Sequence, residues 1–216
     1  MDSIILYSYF RSSCSYRVRI ALNLKKLKYE YRAVHLIKDG GEQKSEAYKK
    51  LNPMGEVPTL IHKGLEINQS MAIVEYLDEV FPEISLFPSS AGERAKVRGL
   101  CEIVNSGIQP IQNLKVMLRV GELFGLDQQG KADWSHYWIR QGLESFENAI
   151  AKNSGKFCFG DSITAADCFL IPQVYNATRF KVNLAQFTNI SKIVQNCQAL
   201  AAFKNAAPEM QPDATN

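Results

Sequence analysis

Hydrophobic positions along this chain keep one period at the start and another after it. Ile4-Ile5-Leu6-Tyr7-Ser8 is a short β-rich run, after which Val18, Ala21 and Leu22 recur at helical spacing up to Lys25. Tyr29 to Leu36 alternates apolar with polar or long side chains and predicts a second strand. Beyond a polar, glycine-containing stretch at Lys38 to Glu46, Val57 to His62 and Leu65 to Ile67 predict two strands around a tight Lys63-Gly64 turn. Ser70 to Phe81 then reads as a helix with Val74, Leu77 and Phe81 on one face. The predicted order is βαβ followed by ββα.

Past Pro82 strand alternation stops, and Phe87-Pro88-Ser89-Ser90 is rich in turn formers. Residues 1–82 are therefore expected to form an α/β domain, 83–90 a linker, and 91–216 an all-α domain. Val97, Leu100, Cys101, Val104 and Ile108 fall where one buried helix face requires them. Trp134, Trp138, Phe146 and Ile150 predict another helix, and Gly121 to Lys131, with three glycines, predicts a surface loop between the two. Thr164-Ala165-Ala166-Asp167 has the form of a capping box, with Ile163 and Cys168 placed for a hydrophobic staple. Capping explains both polar residues there, so no chemistry is assigned to them.

Composition narrows the class. The 216 residues include 46% hydrophobic ones, enough for a sizeable core, and the net charge is only +3. No run of five like charges occurs, which argues against nucleic acid or an acidic membrane surface as a main partner. No apolar run approaches about 18 residues and no leader pattern opens the chain, so a cytoplasmic protein is expected. Cys14, Cys101, Cys158, Cys168 and Cys197 form no CxxC pair, and their odd number argues against a disulfide framework. His35, His62 and His136 are too scattered to suggest a metal site.

The chemistry concentrates at Ser12-Ser13-Cys14-Ser15, where a strand hands over to a helix. A helix start leaves N–H groups unpaired and carries partial positive charge, so it stabilises an anion such as a thiolate. Any of Ser12, Ser13 and Cys14 could assist such a thiol.

With this motif in place, Val57-Pro58-Thr59-Leu60, Gln69-Ser70 and the later capping box give the chain a pattern that resembles the cytosolic glutathione transferases. Ser12 to Leu22 is similar to the signature of their zeta class, as are Asn52-Pro53-Met54, Gly107 to Leu114 and Arg179-Phe180-Lys181-Val182. The resemblance implies a thioredoxin-like amino-terminal domain that binds glutathione, a helical carboxy-terminal domain, and a homodimer. It implies a cis Val57–Pro58 bond, which would turn the Val57 backbone toward an extended ligand. Gln69 and Ser70 would take the γ-glutamyl carboxylate, with Gln43 and Lys38 at the glycine end. Ser12, Ser13, Cys14, Ser15, Tyr16 and Arg17 would line the cofactor, Tyr16 standing where the resembling enzymes usually carry Trp. Gln109, Asn113, Leu114 and Lys115 are further contacts, Gln109 and Asn113 being expected on one face of the first long helix. Ser12 is the first choice for thiol activation, with Ser13 and Cys14 as alternatives. Arg17 and Arg19 are harder to assign, the latter being expected on the exposed side of its helix.

The activity implied is glutathione-dependent cis–trans isomerisation of maleylacetoacetate to fumarylacetoacetate, in tyrosine and phenylalanine breakdown, by reversible thiolate addition. Arg11, Lys115 and Arg179 are the expected grips for the anionic substrate, since arginine can bind a carboxylate through two N–H groups. Lys115 stands where some members of the class carry a hydroxyl, which bears on substrate choice. Isomerisation of maleylpyruvate and glutathione transfer to α-haloacids are alternatives within the same chemistry. A non-catalytic scaffold is the remote one, because such a protein would be expected to lose Ser12, Gln69 or Ser70.

Overall fold

Strand β1 (Ile4–Ser8) alternates buried and half-buried side chains and lies inside a four-stranded sheet of order β2-β1-β3-β4. It pairs in parallel with β2 (Tyr29–Ala33) and antiparallel with β3 (Thr59–His62), setting Leu6 opposite both Tyr31 and Leu60. Strand β4 (Leu65–Asn68) closes the antiparallel edge through a two-residue turn, Lys63 and Gly64, both at positive φ (54° and 77°). That is the turn geometry whose twist suits a hairpin. A parallel pair needs a crossover, and helix α1 (Ser13–Leu24) provides it, burying Val18, Ile20, Ala21 and Leu22 completely. Helix α3 (Ser70–Val80) follows β4 and buries Ile73, Val74 and Leu77.

The predicted second strand is shorter than Tyr29–Leu36, because Val34 makes one last bond to Ser8 and the Glu42 carboxylate then takes the His35 N–H. A six-residue helix, α2 (Glu46–Leu51), also lies in what reads as a loop. Six residues are too few to display a periodic face, and the signal is the Ser45 cap, whose hydroxyl accepts the Tyr48 N–H at 3.2 Å.

The structure is a computed structural model and describes residues 3–214. They divide into two units, one made of residues 3–86 with 198–214 and the other of residues 87–197. The expected helical domain, 91–216, therefore ends early, and the carboxy-terminal segment packs with the sheet unit. Nor is the whole of 83–90 a loose connector. Lys25 and Asp78 form a buried ion pair at 2.9 Å, and the Lys25 ammonium also donates to the carbonyls of Phe81 and Ile84. Asp78 accepts the Leu86 N–H at 2.6 Å, so the chain leaving α3 is tied down as far as Leu86.

In the second unit, helix α4 (Ala91–Glu102) runs on through a π-helical turn, Ile103–Ile108. All five residues of the predicted face, Val97, Leu100, Cys101, Val104 and Ile108, are buried. Ile108 packs straight onto Gly142, where any Cβ would collide with it. Helices α5 (Leu114–Phe124) and α6 (Gln128–Ile150) occupy most of the predicted Gly121–Lys131 loop. Only Gly125, left-handed at φ 64°, and its two successors join them, since Gly121 sits inside a helix and Gly130 accommodates Leu126. The buried stripe of α6 is Ser135, Ile139, Leu143, Phe146 and Ile150, with Trp134 and Trp138 half-buried beside it. Helix α7 (Ala165–Arg179) opens on the Thr164–Asp167 capping box. Helix α8 (Thr188–Gln198) follows, and α9 (Ala201–Lys204) belongs to the returning segment. No helix among the described residues is long and apolar enough to cross a membrane.

Candidate active site

The strand-to-helix turn after β1 is built around Ser12. It is the N-cap of α1, with extended backbone (φ −69°, ψ 115°), and its hydroxyl oxygen accepts the Ser15 N–H at 3.2 Å. A serine hydroxyl has one hydrogen to give and two lone pairs to receive with. Capping uses a lone pair, so the O–H hydrogen remains for a second partner, at the positive end of a twelve-residue helix. Ser12 and Cys14 are half-buried, Ser13 is nearly buried and Ser15 fully so.

The next residues of the motif point away from the helix start. Tyr16 is buried, its hydroxyl reaching the Phe203 carbonyl at 3.5 Å and its ring facing Arg19. Arg17 is fully buried and donates to the Ser70 hydroxyl at 3.0 Å. The structure thus brings Arg17 and Ser70 together, although 53 residues separate them. The Ser70 oxygen receives that bond and keeps its own hydrogen to donate, beside a guanidinium charge and at the first residue of α3. Ser70 is not the helix cap. Gln69 holds that position, with a positive φ of 71° that turns the chain sharply into the helix.

Arg19 corrects the expectation of an exposed side chain. It is fully buried and donates to the carbonyls of Tyr9, Phe10 and Ala206 and to the Ser8 hydroxyl, at 3.0–3.3 Å. Burial lowers its pKa from the usual arginine value. Four acceptors explain how a guanidinium tolerates that position. No periodicity in the sequence separates such an arginine from a solvated one.

The Val57–Pro58 peptide bond is cis, and no described residue takes up the Val57 main-chain N–H or C=O. Gln43 is buried; its amide N–H donates to the Leu36 carbonyl at 3.2 Å, and its buried Oε1 has no partner among the described residues. Lys38 is exposed on the same connection. Arg11 is half-buried, donates to the Tyr9 hydroxyl and lies over the Phe10 ring. This unit therefore carries a hydroxyl donor at a helix start, an open stretch of backbone and a serine backed by a buried cation. Those groups suit the thiol, the extended backbone and the amino-terminal carboxylate of glutathione.

In the helical unit, Gln109 and Asn113 do not share a helix face. Gln109 follows the π turn, whereas Asn113 caps α5, its carbonyl oxygen accepting the Lys115 N–H at 3.1 Å. Pro110 lies between them and lacks the N–H that would bond back to Ser106, and Asn113 takes an extended backbone (φ −62°, ψ 146°) that ends one helix before the next begins. Leu114 and Lys115 are exposed on the first turn of α5. Arg179 is exposed at the end of α7, its guanidinium over the Phe180 ring. Among the described residues no group of three or more His, Cys, Asp or Glu could hold a metal ion.

Sequence profiles of the glutathione S-transferase N-terminal and C-terminal domains match residues 2–79 and 122–207 respectively. The maleylacetoacetate isomerase of Dictyostelium discoideum is 50% identical over 99% of this chain and 97% of its own length. Among solved structures, a bacterial maleylpyruvate isomerase of the zeta class superposes with a TM-score of 0.94 at 41% identity, covering 98% of this chain and all of its own. The maleylacetoacetate isomerase of Anaeromyxobacter dehalogenans with bound glutathione gives 0.88 at 43%, covering 99% of each chain. Sequence and fold agree, and the chain belongs to the glutathione S-transferase family, in the zeta class that includes the maleylacetoacetate isomerases.

Proposed function

We propose that this chain is a glutathione-dependent isomerase that converts maleylacetoacetate to fumarylacetoacetate in tyrosine and phenylalanine catabolism. The observation that carries the reading is the Ser12 hydroxyl, whose oxygen is held by the Ser15 N–H while its hydrogen is left to donate. When bound, glutathione supplies the nucleophilic sulfur whose reversible addition frees the substrate double bond to rotate.

The rest falls to this chain's own side chains. Ser12 donates to the sulfur and favours its anionic form, aided by the α1 dipole, with Ser13 and Cys14 flanking it. The Val57 backbone pairs with the peptide as an added strand would. Ser70, backed by Arg17, and the amides at the start of α3 receive the γ-glutamyl carboxylate. Gln43 and Lys38 serve the glycine end. Ser15 and Tyr16, turned into the unit, support the loop from behind. Arg11, Lys115 and Arg179 are assigned to the substrate's carboxylates, where fixed cations also offset negative charge that builds during addition. Gln109, Asn113 and Leu114 are assigned to cofactor contact. Family membership supports a homodimer and a cytoplasmic location, which sedimentation and fractionation can check.

Progress curves with maleylacetoacetate, with and without glutathione, test the proposal. Turnover that requires glutathione without net consumption is expected. Maleylpyruvate is the second reading, favoured by the zeta-class maleylpyruvate isomerase among the structural relatives and by the exposed Lys115 at the start of α5. Assayed in parallel with dichloroacetate, the three substrates separate the readings. Turnover of the haloacid alone, read as chloride release, would overturn the isomerase assignment.

A further inference from the structure

One tie on the Ser12 turn comes from the far end of the chain. Asp213 lies 203 residues from Phe10, yet its Oδ2 accepts the Phe10 N–H at 3.0 Å. Its Oδ1 accepts the Tyr31 hydroxyl at 2.6 Å, fixing the carboxylate against strand β2. On the other side of the same residue, Arg19 donates to the Phe10 carbonyl at 3.0 Å while also holding the Ala206 carbonyl of the returning segment. Both main-chain polar groups of Phe10 are thus bonded to side chains. Ser12 follows two residues later and closes the turn through its N–H to the Tyr9 carbonyl at 2.9 Å. The segment carrying Asp213 is itself braced, because the Gln211 amide donates to the carbonyls of Asn205 and Ala207.

We propose that Asp213 is a positioning residue for thiol activation: the carboxy-terminal segment holds the Tyr9–Ser12 turn so that the Ser12 hydroxyl is presented at the start of α1. This rests on the function proposed above. A hydroxyl that must cap a helix and still donate outward has little angular freedom, and displacing the turn would break the outward bond before the fold itself. Tyr31 contributes as a donor that stays protonated, burial and its bond to Asp213 both pushing its pKa up.

Replacing Asp213→Ala removes both acceptors. Asp213→Asn is the conservative partner, because its carbonyl oxygen can still accept the Phe10 N–H while the Tyr31 oxygen turns to accept from the new amide. The experiment uses the full chain with glutathione bound, reading the pH titration of thiolate absorbance, kcat and KM, with thermal unfolding to establish that each variant is folded. For Asp213→Ala we expect the bound thiol pKa to rise by about one pH unit and kcat to fall about tenfold, with KM for glutathione within about twofold, as loss of one well-placed bond predicts. Asp213→Asn should recover most of both. An unchanged thiol pKa in folded Asp213→Ala, or an Asp213→Asn protein as impaired as Asp213→Ala, overturns the proposal. If Asp213→Ala does not fold, Tyr31→Phe takes its place, since it frees the carboxylate from β2. A raised thiol pKa in that variant supports the positioning role and an unchanged one overturns it. A wild type whose bound thiol titrates as in free solution would instead overturn the function itself.

Discussion

Replacing Ser12 removes two bonds that belong to different parts of the protein's behaviour, and they can be measured apart. Ser12→Ala deletes the N-cap to Ser15, which should cost about 1 kcal/mol of folding stability. It also deletes the proposed hydrogen bond to the cofactor sulfur, which as a charge-assisted bond would be worth about 1.5–3 kcal/mol, or roughly a tenfold to 150-fold loss in turnover. Ser12→Asp separates the two, because a carboxylate caps a helix as well as a hydroxyl does but has no hydrogen to give and repels a thiolate. The expected pair is therefore a slightly destabilised, slow Ser12→Ala and a stable, inactive Ser12→Asp. Urea unfolding reads the first effect, and glutathione-dependent isomerisation of maleylacetoacetate reads the second. If Ser12→Ala lost the cap energy while kcat stayed within about twofold, Ser12 would be a cap alone and thiol activation would move to Ser13 or Cys14.

Arg179→Ala should raise KM for the anionic substrate about tenfold, consistent with loss of a charged contact, while KM for glutathione changes little; equal loss of both would refute a substrate role. Lys25→Met should lower unfolding free energy by about 3 kcal/mol in urea titrations, because it strands a buried carboxylate and two carbonyls; a loss under about 1 kcal/mol would refute that reasoning. Burial pushes the thiols of Cys158 and Cys197 well above their usual values. An acid held protonated by the fold stabilises it fully below the unfolded pKa, about 8.5, and loses that contribution as pH rises, by about 1.4 kcal/mol per pH unit for each group. The urea midpoint should therefore fall between about pH 8.5 and 10, less steeply in Cys197→Ala, and an unchanged midpoint would refute the shift.

The first third of the chain was legible because its elements are local and periodic. Ile4–Ser8, the Lys63-Gly64 turn and helix α3 each carry their signal within a dozen residues, and the structure places them as the pattern predicts, save that Phe81 of the expected α3 face is the half-buried C-cap and Ile73 joins Val74 and Leu77 in its stead. The Gly121–Lys131 segment failed for the opposite reason. Three glycines look like a loop, but two are tolerated inside helices at close contacts and only Gly125 serves its conformational purpose. Trp134, Trp138, Phe146 and Ile150 do fall on one helix, α6, although its fully buried stripe passes through Ser135 and Ile139 and leaves the two tryptophans half-buried. The helix-start serines were readable as candidate chemistry because capping and thiol activation favour the same residue type in the same place. Their support was not, since Asp213 reaches Phe10 across almost the whole chain and nothing in Gln211-Pro212-Asp213 announces it.

Helix α1 shows why the unreadable part matters most. Arg17 and Arg19 stand two residues apart, look alike in sequence, and are both fully buried. One guanidinium reaches Ser70 at the start of α3, and the other gathers the Ser8 hydroxyl, the Tyr9 and Phe10 carbonyls and the returning carboxy-terminal segment. Burying a guanidinium costs several kcal/mol unless its donors find acceptors, so neither position is explained by packing alone. A methionine would fill much of the volume without that cost, but it could not fix the direction of a hydroxyl or the placement of a peptide group. Positioned donors are what an anionic thiol and an anionic carboxylate require. The two arginines therefore bind the stability of the unit to the geometry of both ends of the proposed cofactor site, and a hydrophobic replacement that left the fold intact would still be expected to slow the reaction.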